Sequence, residues 1–315
     1  MQTSHELPLS PPKYLQEDDI TQECRELLSS LPKEKGWVAS HLYQYQGFWH
    51  PSRQLQGVLS CQQGFQAQDT DILLVTTPKS GTTWLKAILF ALVNRAQYPN
   101  DITSQQQHPL HANNPHDLVP FLELKLYADN RVPDLTSFTS PRLFSTHLPP
   151  LSLPESIKCS ACKLVYLCRN PKDTFKIHLT GSVGGVSLYG PFWDHVLGYW
   201  KESLENPGKI LFLKYEETKE KPDEHLRRIA QFLGYPFSPE EEKLGLLDEI
   251  LGLCSFDTLS KLEVNKSGKL LSGEENKTFF RRGEVGDWKN FLSAEMEDRL
   301  DQISEQKLHK FGLKF

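Results

Sequence analysis

The stretch Asp71-Ile72-Leu73-Leu74-Val75-Thr76-Thr77-Pro78-Lys79-Ser80-Gly81-Thr82-Thr83-Trp84 passes from an unbroken apolar run, through a short polar turn, into apolar residues at helical spacing. It reads as a buried strand, a tight loop and the start of an amphipathic helix. The first N–H groups of a helix lack intrahelical partners and the macrodipole is positive there, so such a turn is an anion site. Gly81 lets the backbone approach a ligand, Lys79 adds a full charge, and Ser80, Thr82 and Thr83 add hydroxyls. The expected ligand is a phosphorylated group or one chemically like it.

Outward from that loop, Thr82–Arg95 carries Leu85, Ile88, Leu89 and Leu92 on one helical face. Lys163–Cys168 is a nearly continuous apolar run, as a central parallel strand requires, and it leads into the polar turn Arg169-Asn170-Pro171-Lys172-Asp173. Pro141–Thr146 predicts a short strand running into His147, and Lys209–Leu213 a further strand. Helices are expected over Thr21–Leu31, Phe192–Glu205, Asp223–Leu233 and Phe291–Lys310, the last with Phe291, Met296, Leu300, Ile303 and Leu308 at helical spacing. Strands alternating with helices predict an α/β fold, a central parallel sheet flanked by helices, with ligands outside the strand C-termini. Residues 21–315 form one domain in this reading, and residues 1–20 a flexible N-terminal segment.

That sheet edge would collect the anion loop, Arg169 and His147, which together offer an anion cradle, a guanidinium and a general base. The bulk properties narrow the partners. With 38% hydrophobic residues, 24% charged and a net charge of −5, the chain reads as an ordinary globular protein without a nucleic-acid or polybasic membrane partner. No stretch approaches a membrane span, the N-terminus lacks a secretory pattern, and six cysteines in 315 residues do not make a disulfide scaffold, so a cytoplasmic setting is expected. Cys159-Ser-Ala-Cys162 has half the spacing of a zinc site, and His108, His111 and His116 fall in what reads as a surface loop. No metal is expected. The aromatic passage Gly36–Pro51, with Trp37, Tyr43, Tyr45, Phe48 and Trp49, reads as core or as a wall for a flat ligand.

The ordered pieces TTPKSGTTW (76–84), STHLP (145–149), YLCRNPKDTF (166–175), GPFWDHVLGYW (190–200), LKYEE (213–217) and FFRRGEVGDWK (279–289) resemble the soluble sulfotransferases, most closely their plant cytosolic branch. The resemblance runs from about Trp37 onward and implies a P-loop-nucleotide-binding-like sulfotransferase fold. It also implies transfer of a sulfuryl group from 3′-phosphoadenosine 5′-phosphosulfate (PAPS) to a hydroxyl of a small acceptor such as a flavonoid, a brassinosteroid-like sterol or another specialised metabolite. By that likeness Lys79, Ser80, Gly81, Thr82, Thr83 and Trp84 would wrap the 5′-phosphosulfate, with Trp84 against the adenine. Arg169, Arg281, Arg282 and Gly283 would hold the 3′-phosphate, Tyr215 and Phe256 would line base and ribose, and His147 would be the catalytic base beside Lys79. A monomer or weak homodimer is expected.

Two features depart from the pattern. The family carries a serine eight positions after the turn arginine, where this chain has Ile177, and the segment before Gly190 is shortened, leaving Thr180 and Ser182 as the nearest hydroxyls. These departures leave open a family member that binds nucleotide or acceptor without efficient turnover. A P-loop kinase or NTPase is a more distant alternative, because the loop lacks GxxxxGK[ST].

Overall fold

A computed structural model describes residues 20–36, 39–98, 108–129, 131–178 and 186–315, with the backbone alone for 175–178. The expected flexible segment therefore lies, up to residue 19, outside the described residues, as do Trp37, Thr180 and Ser182.

Seven strands are present among the described residues. β1 (Lys33–Lys35), β2 (His41–Tyr45) and β3 (Phe48–His50) make a small antiparallel sheet. β4 (Ile72–Thr76), β5 (Leu143–Thr146), β6 (Lys163–Cys168) and β7 (Ile210–Lys214) make a parallel sheet in the order β5-β4-β6-β7. Successive strand residues point to opposite faces, and both faces of the parallel sheet are covered, so the strands are apolar throughout. Leu73, Val75, Phe144, Leu164, Tyr166 and Phe212 face one core, which includes residues of the helices Ser52–Gly64 and Phe192–Glu205. Ile72, Leu74, Val165, Leu167, Leu211 and Leu213 face the other, with the helices Thr82–Val93 and Pro222–Leu233.

The chain leaves β4 for β5 on one side and returns to β6 on the other, so the strand order reverses at β4. Ligands of open α/β sheets bind at such a switch point. Register brings the ends into line: Val75 pairs with Thr146, Thr76 with Leu167, and Cys168 with Lys214.

The sequence reading needs three corrections. The last helix starts at Ala294, with Ser293 as its N-cap, and leaves Phe291 and Met296 exposed while burying Leu300 and Leu308. The supposed surface loop Gln97–Val119 is helical at Pro109–Ala112 and Pro115–Leu118, and it buries His108 and His116. The helix Ser52–Gly64, which no pattern predicted, packs so closely that a Cβ on Gly57 would stand 2.1 Å from the Glu123 carbonyl oxygen. Cys159 closes the short helix Glu155–Cys159 and is exposed, whereas Cys162 is buried at the entry to β6.

Candidate active site

The loop after β4 takes its shape from two left-handed residues on either side of Ser80. Lys79 has φ 66° and Gly81 φ 98°. A Cβ on Gly81 would lie 2.7 Å from the Tyr215 ring, so conformation and space both require glycine. The hydroxyls of Thr77 and Ser80 meet at 2.6 Å, and those of Thr76 and Thr82 at 2.8 Å. Gly81 caps the helix Thr82–Val93 without a side-chain acceptor, which leaves first-turn N–H groups directed at the loop. Lys79 is exposed to solvent but closely surrounded by protein atoms. Desolvation there, and then Arg281, lowers its pKa against the opposing pull of Glu274.

His147 follows β5 and is nearly buried. Its Nδ1 lies 2.6 Å from the Thr76 carbonyl oxygen, an acceptor only, so Nδ1 carries the proton and Nε2 keeps its lone pair. Burial, opposed by that hydrogen bond and reinforced by Lys86, His195 and Lys79, lowers the His147 pKa to about 3. The imidazole is thus a neutral base at physiological pH. Glu123 holds the segment around it. One carboxylate oxygen accepts from the His147 N–H at 2.8 Å and from the Tyr189 hydroxyl at 3.0 Å, the other from Thr146 at 2.8 Å. Phe121 and Tyr189 pack on the imidazole at 4.6 and 5.3 Å between ring centroids.

A second basic group gathers beyond β6. Arg169 stacks on Tyr215 at 4.7 Å, pairs with Asp173 at 3.3 Å and donates to the Glu284 carbonyl. Its buried Nε has no hydrogen-bond partner, which marks a donor awaiting an acceptor. Asp173 also accepts from the N–H groups of Gly286 and Trp288, at 2.9 and 3.0 Å, and Tyr215 donates to the Gly283 carbonyl at 3.0 Å. Gly283 has φ 67°, and a Cβ there would stand 2.7 Å from the Phe256 ring. Arg281 and Arg282 are exposed beside it, Arg282 pairing with Asp287 at 3.1 Å. Trp84 meets Tyr215 edge-on at 6.3 Å, which links the two basic groups.

The structure thus gathers the predicted residues at one sheet edge and adds others that the sequence reading missed. Glu123, Tyr189 and Asp173 are anchors. His116 is no surface residue: it is buried between Thr83 and Lys86, 2.9 and 3.1 Å from their polar atoms. His50, at the end of β3, is wholly buried, has neither ring nitrogen bonded, and lies 5.2 Å from Tyr189 edge-on. No periodicity or motif in the sequence signalled these contacts. Of Ile177 only the helical backbone is described. Among the described residues no group of three or more His, Cys, Asp or Glu is placed to hold a metal.

A family model for the sulfotransferase domain matches residues 69–176 and 179–312. Cytosolic sulfotransferase 12 of Arabidopsis thaliana is 50% identical over 326 residues, covering 97% of this chain and 98% of its own length. Cytosolic sulfotransferase 13 of the same plant is 50% identical over 317 residues, with 94% of each chain covered. Among solved structures, an Arabidopsis thaliana sulphotransferase superposes with a TM-score of 0.75 at 44% identity, over 97% of this chain and 100% of its own. Mouse sulfotransferase SULT7A1 complexed with PAP superposes with a TM-score of 0.62 at 25% identity, over 85% and 95%.

Proposed function

Because the chain belongs to the sulfotransferase family, we propose that it transfers a sulfuryl group from PAPS to a hydroxyl of a small acceptor, with His147 as base. One observation carries this reading: the His147 Nδ1 proton is committed to the carbonyl of Thr76, the residue that opens the anion loop. That bond leaves Nε2 as a base beside the loop that would hold the anion.

The residues fit the donor. Lys79, Ser80, Gly81, Thr82 and Thr83 offer charge, hydroxyls and uncapped N–H groups to a 5′-phosphosulfate, and the orphaned Nε of Arg169 suits a 3′-phosphate. Arg281, Arg282 and the backbone of Gly283 complete that second half, while Trp84, Tyr215 and Phe256 supply faces for base and ribose. His147 Nε2 takes the acceptor proton as the acceptor oxygen bonds to sulfur and the sulfur–oxygen bond to the 5′-phosphate breaks. Lys79 and the loop N–H groups stabilise the charge that gathers on the leaving oxygen. The aromatic wall of Phe121 and Tyr189 around His147 supports a flat phenolic or steroid-like acceptor. Relatives named cytosolic support a cytoplasmic setting, and no helix among the described residues is long and apolar enough to cross a membrane.

The test is a transfer assay with radiolabelled PAPS beside calorimetry with PAP. His147→Ala loses turnover by about 100-fold or more while PAP binding survives; a normal kcat would refute the role. A second reading, a member that binds without efficient turnover, draws on Ile177 and on the break of the family match between 176 and 179. Loss of one charge-assisted hydrogen bond costs about 1.5–3 kcal/mol, roughly one to two decades in affinity. Tight PAP binding without transfer to any acceptor, together with a gain in donor affinity on Ile177→Ser, would favour it.

A further inference from the structure

Behind the anion loop lies a chain of three polar groups whose direction turns on the proton state of its buried lysine. Lys86 and Thr83 stand on adjacent turns of the helix Thr82–Val93, and Lys86 is completely buried. Its Nζ lies 3.1 Å from His116 Nδ1, and His116 Nε2 lies 2.9 Å from the Thr83 hydroxyl. An ammonium donates only. Burial, and then Lys125, push the Lys86 pKa well down, against the carboxylates of Glu123 and Asp117 and the Phe121 ring, 3.5 Å from Nζ to centroid, which favour its charge. His116 is buried against Phe121 and Phe279 and is held neutral, first by burial and then by Lys86, so it has one proton and one lone pair.

With Lys86 as an ammonium it donates to Nδ1, which places the imidazole proton on Nε2, and Nε2 donates to Thr83. The Thr83 oxygen is used as an acceptor on that side, and its own O–H is directed elsewhere. Thr83 is the second residue of the helix that opens at the anion loop. With the relay reversed, His116 Nε2 would accept the Thr83 proton and withdraw that donor from the loop.

We propose that Lys86 and His116 are positioning residues that hold the Thr83 hydroxyl as a hydrogen-bond donor toward a bound phosphate or sulfate. The proposal rests on the reading of this loop as the donor site. Neither residue touches the ligand; both act through the proton on Thr83.

Two measurements test it. In ¹⁵N NMR of the protein with labelled histidine, His116 is the Nε2–H tautomer, and Lys86→Met shifts it toward Nδ1–H. By calorimetry with PAP, Lys86→Met and Thr83→Val each weaken binding about tenfold, the loss of one hydrogen bond to a charged group. The double variant is no weaker than Thr83→Val alone, and Thr83→Ser, which keeps the hydroxyl, binds as the parent does. An Nδ1–H tautomer in the parent protein, or losses that multiply to about a hundredfold in the double variant, would overturn the relay. A parent protein that binds no PAP would overturn the donor-site reading instead, and the tautomer would still decide the direction of the chain. Should Lys86→Met fail to fold, the parent's tautomer and the contrast between Thr83→Val and Thr83→Ser decide the question.

Discussion

Asp173→Asn isolates the joint between the two halves of the site. Asp173 is 1% exposed, and its two oxygens serve three partners: Arg169 at 3.3 Å, the Gly286 N–H at 2.9 Å and the Trp288 N–H at 3.0 Å. Asparagine has the same shape but a single acceptor oxygen. Its amide nitrogen would face one of the two N–H groups as donor against donor, and the buried ion pair with Arg169 would be gone. Removing one partner of a buried pair costs about 3–5 kcal/mol. Here Arg169 keeps the Glu284 carbonyl and the Tyr215 ring, so the lower end, about 3 kcal/mol, is the better estimate. For a chain of 315 residues that corresponds to a fall in Tm of roughly 5 °C. The 283–288 segment loses its anchor at the same time, so PAP affinity falls as well. Differential scanning calorimetry and PAP titration on parent and variant measure both. A variant that melts within a degree of the parent and binds PAP equally well would show that Asp173 does not organise this half of the site.

Four further outcomes follow from buried charge and buried histidine. Burial lowers the pKa of His50 and His147 to about 3 and of His108 and His195 to about 4, so between those values and 6.5 the unfolded chain binds protons that the native chain does not. Stability therefore falls as pH drops below 6.5, by up to about 1.4 kcal/mol per pH unit for each histidine, and urea midpoints at pH 7, 6 and 5 should decline steeply; equal midpoints would contradict the burial argument. For the same reason kcat/KM should show no histidine protonation step between pH 8 and 6, whereas a step near 6.5 would mean that His147 is not held neutral. Asp71→Ala strands Arg142, which Asp71 grips at 2.6 and 2.7 Å at the foot of β4, and should cost about 3–5 kcal/mol in denaturant titration, with Arg142→Met in the same chain recovering part of it. His50→Leu removes two unsatisfied buried nitrogens and should raise stability by about 1–2 kcal/mol, so a lower urea midpoint would show that the imidazole has a partner in solution.

The parts of this molecule that could be read from sequence are those where one physical requirement governs a continuous stretch. β6 is Lys163–Cys168 and one long helix is Phe192–Glu205, as predicted, because a strand covered on both faces is apolar without interruption and a helix on a core repeats near 3.6 residues. The loop after β4 was legible for the same reason, since lysine, glycine and hydroxyls fall within one turn. Glu123, His116 and Lys86 were not, because their burial is decided by partners far along the chain. Glu123 reads as an exposed charge in an apolar run until the N–H of His147 and the hydroxyls of Thr146 and Tyr189 converge on it across 24, 23 and 66 residues.

The sequence loop and the folded loop also differ in what sets their chemistry. In sequence, Lys79 and the helix start describe a generic anion site that would serve a nucleoside triphosphate as well. In the fold, its hydroxyls are engaged by neighbouring side chains: Thr76 with Thr82 and His147, Thr77 with Ser80, and Thr83 with His116. Each bond consumes one side of a hydroxyl and so decides what the other side can offer. His147 is bound by the same logic, its Nδ1 spent on Thr76 so that Nε2 is free. A site with the proposed roles, donating to an anion and accepting a proton, needs every hydrogen assigned before the substrates arrive, because neutral hydroxyls and imidazoles can otherwise serve either role. In the proposed relay the buried groups behind the loop make that assignment, and for that reason the determinants of such a site would extend well beyond the residues that touch its ligands.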